Sequence, residues 1–303
     1  MPGRRQNRGM SAPWLMVVAS FLFATMGVCV KLASSQYSAG EIVFYRGLTG
    51  VGLVWAWSRW RGASLRTPVP AMHFWRSLSG VVALCLWFYA IGKLPLATAM
   101  TLNYMSSVWM ALFLVGGAVM LGSARVDHWL IATVLLGFAG VALVLRPTIE
   151  HDLLWHGLVG LLSGMIAATA YLQVTALGRA GEPDVRIVFY FSVAGVVAGL
   201  ATMAWTGLGT HSLRGIALLA AVGVLATVAQ LMMTRAYGTG RVLLNASLQY
   251  LGIAYAFGYG VLLFDDRITP MALAGMVLIV GAGLAASLLR SEVAENNQHT
   301  TDS

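Results

Sequence analysis

Neutral polar side chains recur inside long apolar segments, and these residues are best suited to bind a small molecule. Asn103 and Ser107 are four residues apart and share one helix face. Gln249, Gln230 and Gln173 lie inside three further apolar segments. A polar group within a membrane is costly unless it faces a cavity or a polar partner. We predict that these side chains bind substrate, and the alternative is hydrogen bonding between helices.

Six aromatic side chains, Trp109 and Tyr255 among them, lie well inside the apolar segments, and four of the six are predicted to bind substrate. These four are Trp87, Tyr104, Tyr171 and Tyr250. A flat ring with a polar edge suits an amphipathic ligand, through stacking or through contact with an ammonium group. The alternative is that each ring packs in the core or faces lipid. Together with the amides, the rings predict a central substrate cavity.

Arg46 is the one cation that the sequence places within an apolar segment, about one turn after Glu41. It could bind a substrate carboxylate. It could instead snorkel to the outer interface or pair with a neighbouring helix. Arg46 and Glu41 are therefore predicted to be either gate residues or structural residues.

Acidic residues and histidines are confined to segment ends, loops and tails. All 11 Asp and Glu residues and all six His residues follow this rule. Proton or sodium coupling usually relies on ionisable groups within the membrane, so a facilitator or exchanger is predicted. The sequence contains no Gly-rich phosphate-binding loop, so ATP hydrolysis is not predicted to drive transport. No catalytic residue, metal site or cofactor is predicted, and a membrane-embedded enzyme is the disfavoured alternative.

The composition requires these residues to lie in a membrane. Hydrophobic residues make up 58% of the chain and charged residues 10%, whereas soluble domains carry about a quarter charged residues. Because a spanning helix needs roughly 17 to 25 apolar residues, ten segments qualify. They are 14–33, 42–58, 73–91, 97–121, 129–145, 157–178, 187–206, 214–237, 242–264 and 271–289. The sequence therefore predicts an all-α polytopic membrane protein with ten transmembrane helices.

The two halves of the chain resemble each other. The residues at 42–45 recur at 187–190, a lag of 187 − 42 = 145, and several further residues match at nearly the same lag. We therefore predict two five-helix repeats, residues 14–145 and 155–290, between a tail at 1–13 and a polar tail at 291–303. An odd number of spans inverts the second repeat, an arrangement that many secondary transporters use to form a shared midplane site.

The distribution of basic residues predicts the orientation. Most of the 19 Lys and Arg residues, Arg76 among them, fall on the side of the N-terminus. Both termini are therefore predicted to be cytoplasmic, in a bacterial inner membrane. The net charge of +8 indicates contact with anionic lipid rather than with nucleic acid. The predicted partners are the bilayer and a small-molecule substrate. The sequence does not determine the oligomeric state, and a monomer is compatible with it.

Several motifs resemble one known family. Arg46 matches an arginine common in the second helix, the run at 93–97 followed by 102–104 resembles the join between the third and fourth helices, and 264–269 resembles the motif that closes the ninth. The chain resembles the drug/metabolite transporter superfamily in its ten-helix, EamA-type form. Two positions depart from the pattern, since Ala124 replaces an expected acid and Phe191 stands where a second arginine would lie.

The resemblance implies a secondary transporter that works by alternating access. Within the family the chain looks most like bacterial exporters of amino acids, including aromatic ones. We therefore expect export of small amphipathic metabolites. A proton-coupled exporter of drugs or organic cations is the alternative.

Overall fold

The computed structural model describes residues 11–120, 132, 135–137, 139–141, 143–144, 153–207, 209–240, 242–267, 269–282 and 284–285. Helices account for most of these residues, and no strand occurs among them. Six of the described helical segments are long and apolar enough to cross a membrane. The prediction of an all-α polytopic membrane protein is confirmed. Eight of the 17 residues of the predicted fifth span at 129–145 lie outside the described residues, as do residues 1–10 and 286–303.

Eleven helices are labelled here in chain order. They are α1 (Ala12–Ala33), α2 (Ala39–Arg61), α3 (Pro70–Lys93), α4 (Leu96–Tyr104), α5 (Ser106–Met120), α6 (Leu154–Arg179), α7 (Asp184–Thr206), α8 (Leu213–Thr239), α9 (Val242–Leu248), α10 (Leu251–Phe264) and α11 (Pro270–Ala282). The bundle has a near face, where α1 begins, and a far face, where α1 ends.

Local sequence fixes the ends of the helices that carry the site. Ser38 precedes α2, and its side chain accepts a hydrogen bond from the backbone N–H of Glu41 at 3.2 Å. This bond satisfies one of the free donors at a helix start. Gly62 ends α2 in the left-handed conformation at φ 66°, which glycine adopts without steric cost. Pro70 begins α3, where its missing N–H costs nothing.

Two of the predicted spans are broken in the middle. The fourth span divides into α4 and α5 at Met105, and the ninth divides into α9 and α10 at Gln249 and Tyr250. Backbone groups near the second break bond to other helices. The carbonyl of Ala246 accepts from the Ser107 hydroxyl at 2.9 Å, and the carbonyl of Leu248 accepts from Ser20 at 3.3 Å. Such bonds allow a broken helix to remain at membrane depth.

Helix starts in the two halves keep the lag found in the sequence. Helices α2 and α7 start at residues 39 and 184, α4 and α9 at 96 and 242, and α5 and α10 at 106 and 251. The first helix of each half packs on the third helix of the other half, so that α1 packs on α8 and α6 packs on α3. The second helices of the two halves, α2 and α7, pack on each other. The repeat boundaries at 14–145 and 155–290 stay a prediction.

Glycines bring the helices around the centre into close contact. A Cβ atom added at Gly47 of α2 would lie 2.8 Å from the backbone oxygen of Ser192 in α7. A Cβ added at Gly164 of α6 would lie 2.6 Å from the backbone oxygen of Leu102 in α4. Small residues permit such close packing of membrane helices. The contacts hold α2 and α7 together and place the end of α4 beside α6.

Candidate substrate-binding site

A cavity lies in the middle of the bundle, beside the two helix breaks. Its walls come from α1, α2, α3, α4, α6, α7 and α8 and from the break after α9. Its volume is about 50 Å³, enough for about three water molecules at roughly 15 Å³ each. Ligand pockets usually measure about 300 to 1,000 Å³. The cavity is therefore smaller than a metabolite needs, and binding of a metabolite requires it to widen.

Three of the predicted amide side chains line the cavity. Asn103 Nδ2 donates to the Ser163 hydroxyl at 2.9 Å, and Gln249 Nε2 contacts the sulfur of Met233 at 3.7 Å. Gln230 lines the same space from α8. Asn103 is the eighth residue of α4 and Gln249 follows α9, so each lies about 10 Å from its own end of the bundle at 1.5 Å per residue. The structure thus brings residues from both halves to one cavity.

Three of the four predicted aromatic residues also line the cavity. They are Trp87, Tyr104 and Tyr171. Tyr171 stacks on Tyr237, with ring centroids 5.4 Å apart and planes 14° apart. Tyr104 lies against Gly252 of α10, where a Cβ atom would be 2.6 Å from the ring. The cavity therefore combines neutral amides with aromatic walls, as an amphipathic ligand requires.

The structure places three other predicted site residues outside this cavity. Ser107 donates to the carbonyl of Ala246 and joins α5 to α9. Gln173 accepts a hydrogen bond from Ser79 at 2.8 Å and joins α6 to α3. Tyr250 is buried at the break between α9 and α10. The prediction treated each span as one straight helix, and a break between Asn103 and Ser107 changes the face that the second residue occupies.

Arg46 faces the cavity and is only 4% exposed. Its Nη2 donates to Gln230 Oε1 at 3.3 Å, so it does not snorkel to the interface. Glu41 is separate from it, near the far face. Both Glu41 carboxylate oxygens accept from the N–H of Gly209 at 3.3 Å, and Oε1 lies 3.8 Å from His211 Nε2. Glu41 therefore ties the start of α2 to the loop before α8.

Arg76 corrects the sequence prediction, which counted it among the cytoplasmic loop charges and left Arg46 as the one cation within a span. Arg76 lies in the second turn of α3, is 2% exposed and lines the cavity. Gly80 leaves room for its guanidinium, since a Cβ there would collide with Nη1. The helical spacing of the residues in α3 could have identified Arg76 as a cavity residue. Residues 76, 80, 83 and 87 share one face of α3, and Trp87 was already a site candidate.

Phe191 was noted in the sequence only as a departure from the family pattern, yet it lines the cavity from α7. Both arginines lie over its ring. The distance from Cζ to the ring centroid is 5.0 Å for Arg46 and 4.3 Å for Arg76. A guanidinium over an aromatic face within about 6 Å is an attractive contact. Phe191 therefore helps to hold two cations at the cavity.

A polar cluster closes the near face. Glu182, between α6 and α7, is 2.9 Å from His73 Nε2 and 2.9 Å from Arg186 Nη1, and Arg186 also donates to the carbonyl of Ser64 at 3.1 Å. Burial acts to raise the pKa of the Glu182 carboxyl. The hydrogen bond from His73 and the charge of Arg186 outweigh that effect, so the pKa lies below its usual range.

A second cluster closes the far face. Asp266 follows α10 within the motif that the sequence comparison singled out, and it lies 3.3 Å from Lys31 Nζ at the end of α1. Its other oxygen accepts from the backbone N–H of Leu96 at 2.9 Å. This carboxylate therefore joins the ends of α1 and α10 to the start of α4. Polar contacts thus hold the bundle together on both sides of the cavity.

The fold and its central cavity are those of a polytopic membrane transporter. The EamA-like transporter family matches residues 10–146. The chain is also 34% identical over 275 residues to the pseudopaline exporter CntI of Pseudomonas aeruginosa strain UCBPP-PA14, covering 90% of this chain and 94% of that protein. The chain therefore belongs to the EamA-like transporter family of the drug/metabolite transporter superfamily, as its motifs predicted.

Two further comparisons agree with this placement. An uncharacterised transporter of Helicobacter pylori strain J99 is 24% identical over 282 residues, which cover 90% of this chain and 93% of that protein. The fold also matches that of a protein crystal structure with a TM-score of 0.68 at 18% sequence identity. The match covers 93% of this chain and 98% of the crystallised chain. The structural match shows the shared fold.

Proposed function

We propose that this protein is a secondary transporter that exports small amphipathic metabolites through its central cavity. The observation that carries the proposal is the central cavity, whose lining combines Asn103, Gln230 and Gln249 with Trp87, Tyr104 and Tyr171. Amides both donate and accept hydrogen bonds, and aromatic faces accommodate an apolar body. Amino acids have this combination of groups. The pseudopaline exported by the Pseudomonas relative is a second candidate substrate.

Alternating access is the proposed transport cycle. The cavity lies between polar clusters at the two faces, and transporters with inverted repeats open such a site to one side at a time. In this cycle the Glu182 cluster opens toward the cytoplasm and the Asp266 cluster opens toward the outside. Both termini are cytoplasmic in this proposal, so the near face is the cytoplasmic face.

The proposed energy source is the gradient of the substrate itself or of an exchanged solute. No carboxylate or histidine occurs among the residues that line the cavity in the described part of the chain. Three described acids, Glu41, Glu182 and Asp266, each have partners at a face of the bundle. A protein of this kind needs no proton relay through the midplane.

Counterflow with the purified, full-length protein in proteoliposomes tests the proposal. Vesicles loaded with an unlabelled compound are assayed for uptake of the same compound in labelled form. The panel contains phenylalanine, glutamate, pseudopaline and tetraphenylphosphonium. We expect counterflow of at least one of the three metabolites, unchanged by a protonophore, with protein-free vesicles as the control.

Two results would contradict this proposal. Transport of tetraphenylphosphonium alone, driven by a proton gradient and lost with the protonophore, would establish the drug-exporter alternative. No counterflow of any compound, from protein that is folded by its melting behaviour, would remove the assignment of this cavity to metabolite export.

A further inference from the structure

Two buried arginines share one aromatic ring at the centre of the protein. Arg46 comes from the far half of α2, and Arg76 comes from the near half of α3. Their side chains are 4% and 2% exposed, and both guanidinium groups lie over the ring of Phe191. The two positive charges therefore converge on one small cavity from different helices.

The hydrogen-bonding capacity of these two side chains is largely unused. Arg46 donates from Nη2 to Gln230, but its Nε has no partner. Arg76 has no partner for Nε or for Nη1. A buried donor without an acceptor is costly, and a buried charge without a counter-charge costs more. These groups therefore stabilise the protein less than a paired arginine would.

The neighbouring side chains do not supply the missing negative charge. All cavity-lining residues in the described ranges are neutral except the two arginines themselves. Glu41 bonds to the Gly209 N–H near the far face, and Glu182 bonds to His73 and Arg186 near the near face. Contact with Phe191 offsets only part of the cost of burying two like charges. An anion within the cavity would compensate both guanidiniums.

We infer that the substrate is a carboxylate-bearing organic acid, bound through Arg46 and Arg76. This assignment rests on the proposed function and adds the substrate class to it. A guanidinium presents planar N–H donors that match the two oxygens of a carboxylate. Each arginine offers at least one such donor that has no protein partner. Trp87, Tyr104 and Tyr171 then contact the body of the acid.

The two halves of the chain also make the charge of the cavity asymmetric. Phe191 occupies the position in the second half that corresponds to Arg46 in the first. The anionic end of the acid therefore binds at the α2, α3 and α7 side, beside the two guanidiniums. The amides of Asn103 and Gln249, on α4 and after α9, contact the remainder of the substrate. The arrangement predicts one bound orientation.

Matched compounds test the substrate class in nanodiscs that contain the full-length protein. The pairs are succinate and succinamide, in which both carboxylates become amides, glutamate and glutamine, in which the side-chain carboxylate becomes an amide, and phenylalanine and phenethylamine, in which the carboxylate is removed. Binding is measured by the shift in melting temperature over a range of concentrations. We expect a carboxylate compound to bind at least about tenfold more tightly than its partner, since charge-assisted hydrogen bonds are about twice as strong as neutral ones.

Variants assign that preference to the two arginines. Arg46→Gln and Arg76→Gln should each reduce carboxylate affinity about tenfold or more, and Arg76→Lys should retain part of it, because the charge remains but the planar fork is lost. Arg61→Gln is the matched control, because Arg61 is exposed and contacts Trp57 and Trp60 away from the cavity. If a glutamine variant does not fold, the compound pairs in the unmodified protein still decide the substrate class.

Three outcomes would overturn the inference. One is equal binding of the carboxylate and its partner in every pair, or no binding by any carboxylate. Another is a preference that survives both arginine substitutions. A third is binding of inorganic phosphate or a phosphate ester in place of all the carboxylates. Counterflow of a metabolite that has no carboxylate would leave the proposed export function intact while removing this substrate class, so the two failures are distinguishable.

Discussion

Arg46 and Phe191 occupy equivalent positions in the two halves of the chain, and in the structure the Arg46 guanidinium lies 5.0 Å from the centre of the Phe191 ring. The sequence lag between them, 191 − 46 = 145, is the lag of the repeat itself. One half of the cavity therefore supplies a cation where the other half supplies a ring that contacts it. Arg76 approaches the same ring more closely, at 4.3 Å.

Replacing the shared ring should destabilise both cations. Phe191→Leu removes two cation–π contacts while keeping an apolar side chain. Each contact is worth about 0.5 to 2 kcal/mol, so we expect a lower melting temperature and weaker transport. Phe88→Leu is the matched control, since Phe88 is 1% exposed and is outside the cavity lining. An equal loss of stability in the two variants would show that Phe191 acts through packing alone.

Asn103→Ala should weaken transport with little loss of stability. The hydroxyl of Ser163, which accepts from Asn103, also donates to the carbonyl of Gly160 at 2.6 Å, so it keeps a partner in the variant. A lost ligand hydrogen bond costs about 0.5 to 1.5 kcal/mol, or roughly a threefold to tenfold loss of affinity. Counterflow measured as a function of substrate concentration, beside melting curves, gives both quantities.

Gln249→Ala should behave in the same way. The contact of Gln249 Nε2 with the Met233 sulfur, at 3.7 Å, is a weak one, so its loss should cost little stability. We again expect roughly threefold to tenfold weaker apparent affinity. Unchanged affinity together with an earlier melting transition, for both amide variants, would mean that these side chains join helices rather than bind substrate.

A methyl group at Gly252 should obstruct the cavity by displacing Tyr104, a residue of its wall. Its Cβ would lie 2.6 Å from the Tyr104 ring, so the ring must shift. Tyr104 lines the cavity, and we expect Gly252→Ala to reduce transport severalfold. Gly258→Ala lies in the same helix with nothing within 4 Å of the new Cβ, so it should keep transport. Normal transport by Gly252→Ala would show that Tyr104 does not shape the substrate path.

The near-face cluster should lose its stabilising effect in acid. The pKa of Glu182 is lowered in the folded protein, so its contribution is present above the ordinary carboxyl pKa of about 4.3 and is lost as the pH falls through the folded pKa. At pH 7, Glu182→Gln should lower stability by about 1 to 3 kcal/mol. Melting curves should converge below about pH 4. A constant difference across that range would contradict the charged role of Glu182.

The apolar segments and the repeat allowed most of the architecture to be predicted, because lipid forces each span to satisfy its own backbone within one helix. The helix breaks could not be predicted. Met105 is apolar, and neither break contains Gly or Pro, which usually mark such positions. The backbone at the second break instead depends on hydroxyls from Ser20 and Ser107 in distant helices.

The neutral polar side chains inside the apolar segments predicted part of the site. Arg76 shows why the other site residues were missed. Counting charges near span ends cannot tell a side chain that enters the solvent from one that turns inward. Arg76 is close to the start of its span, beside an exposed Trp75, yet its guanidinium lies at the cavity. Phe191 was noted only as a departure from the family pattern, because a phenylalanine in an apolar span does not reveal its contacts until its neighbours are known.

Accessibility of the cavity to a thiol reagent tests the central claim most directly. Cys29 and Cys85 are replaced by serine, and Ala167→Cys then places a thiol on the cavity wall. Ala99→Cys is the buried control, because Ala99 is 0% exposed and is not part of that wall. We predict that a membrane-impermeant maleimide modifies residue 167 from either side of the membrane, that substrate slows the reaction and that modification abolishes counterflow. Full transport after complete modification would contradict the assignment of this cavity as the substrate path.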